Sequence, residues 1–127
     1  MKKTGILNSL ISQHIASMGQ GDYLIICDCG FPIPAGVPKV VLLLRLGSPG
    51  LLETVEVVSE ELEVETIAYA IDTERHCLDL MEEVQRLFPQ AGIKRLSHIE
   101  LKEYAKQAKA VIRTGESTPY ANSKNIL

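Results

Sequence analysis

An acid, an imidazole, an ammonium, a phenol and an amide stand out in this chain by where they fall. Asp28 closes the apolar run YLIIC (Tyr23–Cys27) and is followed at once by CGFPIP, which cannot continue regular structure. His98 opens HIELKEYAKQA directly after the short apolar stretch IKRLS, and Lys102 follows one helical turn later. The run AVI leads into Arg113-Thr114-Gly115-Glu116 and then to Tyr120 and Asn122. Brought together, these groups would make a polyol site: many hydrogen-bonding atoms, two of them able to move protons near neutral pH.

Each side chain also has a plainer role open to it. Asp28 suits the amides of the tight loop that follows, and His98 suits the cap of the helix beside it. Lys102 suits a solvated helix face, and Tyr120 and Asn122 suit a turn. Only co-location separates the functional reading from these, and co-location depends on the fold.

The elements that must position them follow from periodicity. Leu7, Ile11, Ile15 and Met18 recur at helical spacing, with Asn8 or Ser9 to cap and Gly19 to stop. Tyr23–Cys27 is a strand and 29–38, with three prolines, a loop. KVVLLLRL (39–46) reads as a second strand, apolar on both faces as buried parallel strands are. Ser48 is placed to cap the next helix and Pro49 to occupy its first position, with Leu51, Leu52, Val55, Val58 and Leu62 facing inward. VETIAYAI (64–71) is a third strand, and Thr73 begins a helix with Leu78, Met81, Val84, Leu87 and Phe88 as its stripe. Strand 93–97, helix 98–108 and strand 110–116 complete the alternation, and STPYANSKNIL carries no clear element.

Strands alternating with helices predict an α/β fold. The expected form is a three-layer α/β/α sandwich with a largely parallel sheet of about five to six strands and right-handed crossovers. Without repeat or linker, residues 1–127 read as a single domain. Ligands of such sheets bind outside the carboxyl ends of the strands. Asp28, His98, Arg113–Glu116, Tyr120 and Asn122 all follow strand ends, so that edge is the expected site.

Composition excludes several partners. A net charge of −3, with basic residues scattered and Trp absent, argues against nucleic acid and anionic membrane. The longest apolar run, VVLLL, is too short to span a bilayer, and the N-terminal segment lacks a signal peptide's apolar core. An odd count of three cysteines without paired spacing suggests reduced thiols in a cytoplasmic protein. Cys27-Asp28-Cys29 has no second ligand pair, so no metal site is expected, and Gly19-Gln20-Gly21 is no dinucleotide fingerprint.

Four pieces, MKKTGILNSLIS, MGQGDYLIICDCGFPIP, SHIELK and above all AVIRTGESTPYAN, resemble the D-ribose pyranase / L-fucose mutarotase family over nearly the whole chain. The resemblance implies a cofactor-independent isomerase that interconverts cyclic forms of a free monosaccharide, ribose-like or fucose-like. Such enzymes open the ring to the aldehyde and reclose it, exchanging pyranose with furanose or α with β anomer. It also implies a ring-shaped homo-oligomer, a pentamer or decamer, with sites between subunits. Position by position, Asp28, His98, Tyr120 and Asn122 match the family's sugar-contacting residues, and Lys102 is placed with them.

One position departs. The family carries its principal catalytic histidine in a Gly-His turn after the first helix, where this chain has Gly19-Gln20. Gln20, Asp28 and His98 are therefore the expected catalytic set. A glutamine amide donates and accepts hydrogen bonds but exchanges no proton near neutral pH. A non-catalytic monosaccharide-binding or regulatory protein is accordingly the alternative reading.

Overall fold

Asn8 takes the capping role that its position suggested: its side-chain oxygen accepts the backbone N–H of Ile11 and starts α1 (Ser9–Ala16). The chain continues through β1 (Leu24–Cys27), β2 (Lys39–Val41), α2 (Leu51–Ser59), β3 (Thr66–Ala70) and α3 (Ile71–His76). It then forms α4 (Leu78–Leu87), β4 (Gly92–Leu96), α5 (His98–Lys106), β5 (Ala110–Arg113) and β6 (Asn125–Ile126). The computed structural model describes residues 1–118 and 125–126.

The strands form one six-stranded sheet in the order β2-β5-β1-β6-β3-β4. β2, β5 and β1 pair in parallel, as do β3 and β4. The short β6 is antiparallel to both β1 and β3 and joins the two halves. The alternation of strand side chains then builds two cores. Leu24, Ile26, Ile67, Tyr69 and Ile112 pack on one face with Val55, Val58, Met81 and Val84 of α2 and α4. Ile25, Cys27, Ala68, Leu96 and Val111 pack on the other with Phe31 and with Leu101 and Ala105 of α5. Burial on both faces is why LIIC reads as a continuous apolar run. The sheet is thus sandwiched between helices, as the alternation required.

Three local expectations are corrected. The strand expected over 39–46 is confined to Lys39–Val41 and lies at the sheet's edge, where only Val40 is buried. Val41, Leu44 and Leu46 are 50%, 80% and 75% exposed. The reason is a tight reversal: Leu44 and Arg45 donate to Ser48 O, while Gly47 donates to Gly115 O at 2.5 Å, pulling the chain away from the ladder. Secondly, Ser48 does not cap α2. Gly50 holds the N-cap position without a side chain to offer, and the cap comes from Glu116, whose Oε1 accepts the N–H of Leu51. Thirdly, the helix expected from Thr73 is two helices, α3 beginning at Ile71 and α4 after a break at Cys77 (φ −133°, ψ 45°). Leu78, just past that break, is exposed rather than part of the buried stripe. Among the described residues, no helix is long and apolar enough to cross a membrane.

Candidate functional site at the carboxyl edge of the sheet

Because every strand except β6 runs in one direction, the carboxyl ends of β1, β3, β4 and β5 share an edge. Asp28 leaves the end of β1 and is 8% exposed. Its Oδ1 accepts the N–H of Gly30 at 3.2 Å, so it does brace the loop after it, the plainer of its two expected roles.

The backbone around Asp28 is fixed by β5. Thr114, fully buried, donates both its N–H (2.9 Å) and its hydroxyl (2.8 Å) to the carbonyl of Cys27. The same hydroxyl oxygen accepts the N–H of Glu116, and Glu116 O in turn accepts the N–H of Cys29 at 3.0 Å. Two strand ends are thereby knitted on either side of Asp28. Arg113 secures the far side of the loop by donating Nη2 to Phe31 O at 2.7 Å, while its buried Nε has no hydrogen-bond partner among the described residues.

Glu116 is half-buried beside this frame. Burial pushes its carboxyl upward, but hydrogen bonds from the Thr118 hydroxyl and from the amides of Leu51, Thr118 and Ser117 outweigh it and hold the pKa below the ordinary value. Cys77 stands within the field of that carboxylate. Burial first, and Glu116 second, push its thiol up.

His98 occupies the first turn of α5, but it is not the cap. Ser97 accepts the N–H of Glu100 and Glu100 reaches back to the N–H of Ser97, a complete capping box. His98 is left free to turn to β3's end, where its Nε2 lies 2.6 Å from Oδ2 of Asp72. Asp72 follows β3 as Asp28 follows β1. The rule that ligands gather at strand ends already contained the signal for it, since AYAID repeats the pattern of an apolar strand closing on an acid. Lys102 is exposed one turn along α5, with no hydrogen bond to the described residues.

Asp28 and His98 share the edge but not a contact. β6 and β3 intervene between β1 and β4, so roughly 14 Å of sheet separates the two backbones. Tyr120 and Asn122 lie outside the described residues. Of the residues flanking that segment, Thr118 follows β5 at this edge, and Asn125 pairs with Ile26 near the carboxyl end of β1.

Gln20 is not brought to this site within one chain. It precedes β1, whereas Asp28 follows it, so the strand itself, ~13 Å long, lies between them. Gln20 is exposed at the amino edge, where it lines a hollow of ≈ 990 Å³ with Asp22, Glu63, Glu65, Lys94 and Tyr104. Tyr104 there accepts a 2.6 Å hydrogen bond from Lys94, and its carbonyl accepts one from the Tyr23 hydroxyl at 2.6 Å. That bond to Tyr104 raises the Lys94 pKa, while burial and then Tyr104 raise that of Tyr23.

Known proteins share this frame. A D-ribose pyranase of Clostridium perfringens is 46% identical over 122 residues, spanning 96% of this chain and 93% of that protein. A D-ribose pyranase of Bacillus cereus is 41% identical over the same share of both chains. The solved structure of Bacillus subtilis RbsD complexed with D-ribose superposes with a TM-score of 0.91 at 42% identity, covering 99% of this chain and 96% of that one. The RbsD / FucU transport protein family matches residues 1–124. With near-complete coverage by family, relatives and fold alike, the chain belongs to the RbsD / FucU transport protein family.

Proposed function

We propose that this chain is a cofactor-independent isomerase of the D-ribose pyranase type, interconverting the cyclic forms of a free monosaccharide at the carboxyl edge of the sheet. The observation that carries the reading is an acid–base pair, His98 on Asp72, standing on the same edge as the braced carboxylate of Asp28. Relatives named D-ribose pyranase support the substrate class.

In this reading His98 is the proton shuttle. It takes the proton of the anomeric hydroxyl, the bond between the anomeric carbon and the ring oxygen breaks as the carbonyl forms, and the imidazolium returns that proton to the ring oxygen. Reclosure on another hydroxyl, or on the other face of the carbonyl, gives the second ring form or anomer. Atoms and protons balance without a further reactant. Asp28 accepts hydrogen bonds from sugar hydroxyls, and Lys102, Tyr120 and Asn122 supply the remaining contacts, the last two on the strength of the STPYAN motif.

Gln20 acts on a sugar held by another copy, because the length of β1 keeps it from its own chain's Asp28. The exposed row Val41, Leu44 and Leu46 at the sheet edge supports a homo-oligomer, the pentamer or decamer that the resemblance implies. The odd count of three cysteines supports the cytoplasm as its compartment.

Saturation-transfer NMR on D-ribose and L-fucose tests the reading. Ring-form or anomer exchange faster than in buffer is expected, and no acceleration with several pentoses and hexoses overturns it. The second reading, a sugar-binding protein without catalysis, rests on the amide of Gln20 in place of an imidazole. It predicts saturable sugar binding with no acceleration in either the native chain or Gln20→His.

A further inference from the structure

Asp72 and His98 come from different helices, α3 and α5, and meet because β3 and β4 are parallel neighbours in register, Ala70 opposite Leu96. A carboxylate can only accept, so the 2.6 Å contact from Nε2 to Oδ2 puts the imidazole hydrogen on Nε2. In the neutral ring Nδ1 is then a bare lone pair. No described residue donates to it. We propose that Asp72 is a positioning residue that holds His98 in the Nε2–H tautomer and aims Nδ1, as the base, at the anomeric hydroxyl of the sugar. The inference rests on the role given to His98 above and adds the residue and the atom that make that role possible.

The fold does not need this pair. Its side chains are 56% and 43% exposed, a setting in which an ion pair contributes only ~0–1 kcal/mol. The start of α5 is already capped by Ser97 and Glu100. The β3–β4 ladder already fixes the two strand ends. Arg95, the cation nearest in the ladder, is taken by Glu74 through two hydrogen bonds of 2.5 and 2.9 Å, which leaves Asp72 to the imidazole. After proton uptake the same carboxylate would face an imidazolium, so the contact tightens as charge develops on the ring, which is what a catalytic orienting group must do.

The test uses the full chain with ¹⁵N-labelled histidine. Its three histidines are His14, His76 and His98, and His98→Gln identifies the third signal set. At about pH 8.5, well above the ordinary imidazole pKa of about 6.5, long-range ¹H–¹⁵N spectra should place the His98 hydrogen on Nε2. Asp72→Asn, whose amide can donate as well as accept, should shift that tautomer and slow ribose exchange about 10- to 100-fold, with sugar affinity within about threefold. Asp72→Glu should recover part of the rate. An Nδ1–H tautomer in the unsubstituted chain overturns the proposal whether or not the variants fold. So does exchange in Asp72→Asn within about twofold of the original. His98→Gln separates the two levels: if it abolishes exchange while Asp72→Asn does not, only the positioning role fails, and if it changes nothing, the role of His98 fails and this inference with it.

Discussion

The carboxylate of Glu116 accepts the backbone N–H of Leu51 at 3.1 Å, capping from β5's end a helix that its own sequence leaves uncapped. This one contact ties the start of α2 to the loop that flanks Asp28, because Glu116 O also accepts the N–H of Cys29. Glu116→Ala should lower stability by about 1 kcal/mol, the scale of a lost N-cap, read as a shift of the urea unfolding midpoint.

The same residue sets a pH dependence. Its folded pKa is depressed below the ordinary 4.5, because the hydrogen bonds from Thr118, Leu51 and Ser117 outweigh the upward push of burial. A depressed carboxyl contributes stability that is fully present above the unfolded value and lost as pH falls through the folded one. The urea unfolding midpoint should therefore drop as pH falls below that ordinary value, and Glu116→Gln should flatten the slope there. An unchanged slope in the variant would remove Glu116 from the acid response.

Gly115 is where two backbones meet. A methyl group at its Cα would lie 2.5 Å from Ser48 O and 2.6 Å from Ser48 N, with no flexible side chain to yield. Gly115→Ala should cost about 1–3 kcal/mol as an overpacked site. It should also slow ribose exchange, since the turn it displaces is joined through Gly115 to Glu116 and so to the loop after Asp28. Thermal unfolding and the NMR exchange assay on one sample check both effects.

Thr114→Val keeps the shape of the side chain and removes its hydroxyl. Cys27 O loses a 2.8 Å hydrogen bond and the N–H of Glu116 loses its acceptor. A loss of about 1–3 kcal/mol is expected from a buried group left unsatisfied. A variant as stable as the original in urea would mean that this knot does not hold the strand ends.

Gln20→His should leave unfolding of the chain within about 0.5 kcal/mol, because the side chain is exposed and outside regular structure. Its effect belongs to catalysis: under the proposed function, a proton-exchanging imidazole in place of the Gln20 amide should raise ribose exchange, by up to ~10²-fold. No rise, in a chain that already accelerates exchange, would place the proton transfer wholly on groups of the carboxyl edge.

Much of this was legible in the chain itself. Asn8 caps α1 and Ser97-His98-Ile99-Glu100 opens a helix, both from contacts within a few residues, and LIIC is legible as a strand from its own unbroken apolar run. What misled is equally local in character. VVLLLRL has the composition of a buried strand, yet it lies at the sheet's edge and turns away after Val41. Ser48 and Pro49 look like a helix start, yet the cap arrives from Glu116, 65 residues away in sequence.

The sequence by itself determined the alternation of strands and helices, the family, and the kinds of chemistry present: carboxylates, one imidazole at a strand end, and the Gln20 amide in the turn after the first helix. Periodicity and motif are properties of neighbouring residues, so they survive without a fold. Only the tertiary structure decided which of these groups meet. The strand order puts β3 beside β4, and so Asp72 on His98, while it sets β6 and β3 between His98 and Asp28. The direction of β1 sends Gln20 and Asp28 to opposite edges of one sheet. Pairing between distant strands is settled by the burial and hydrogen bonding of the whole sheet, and no local pattern carries that information.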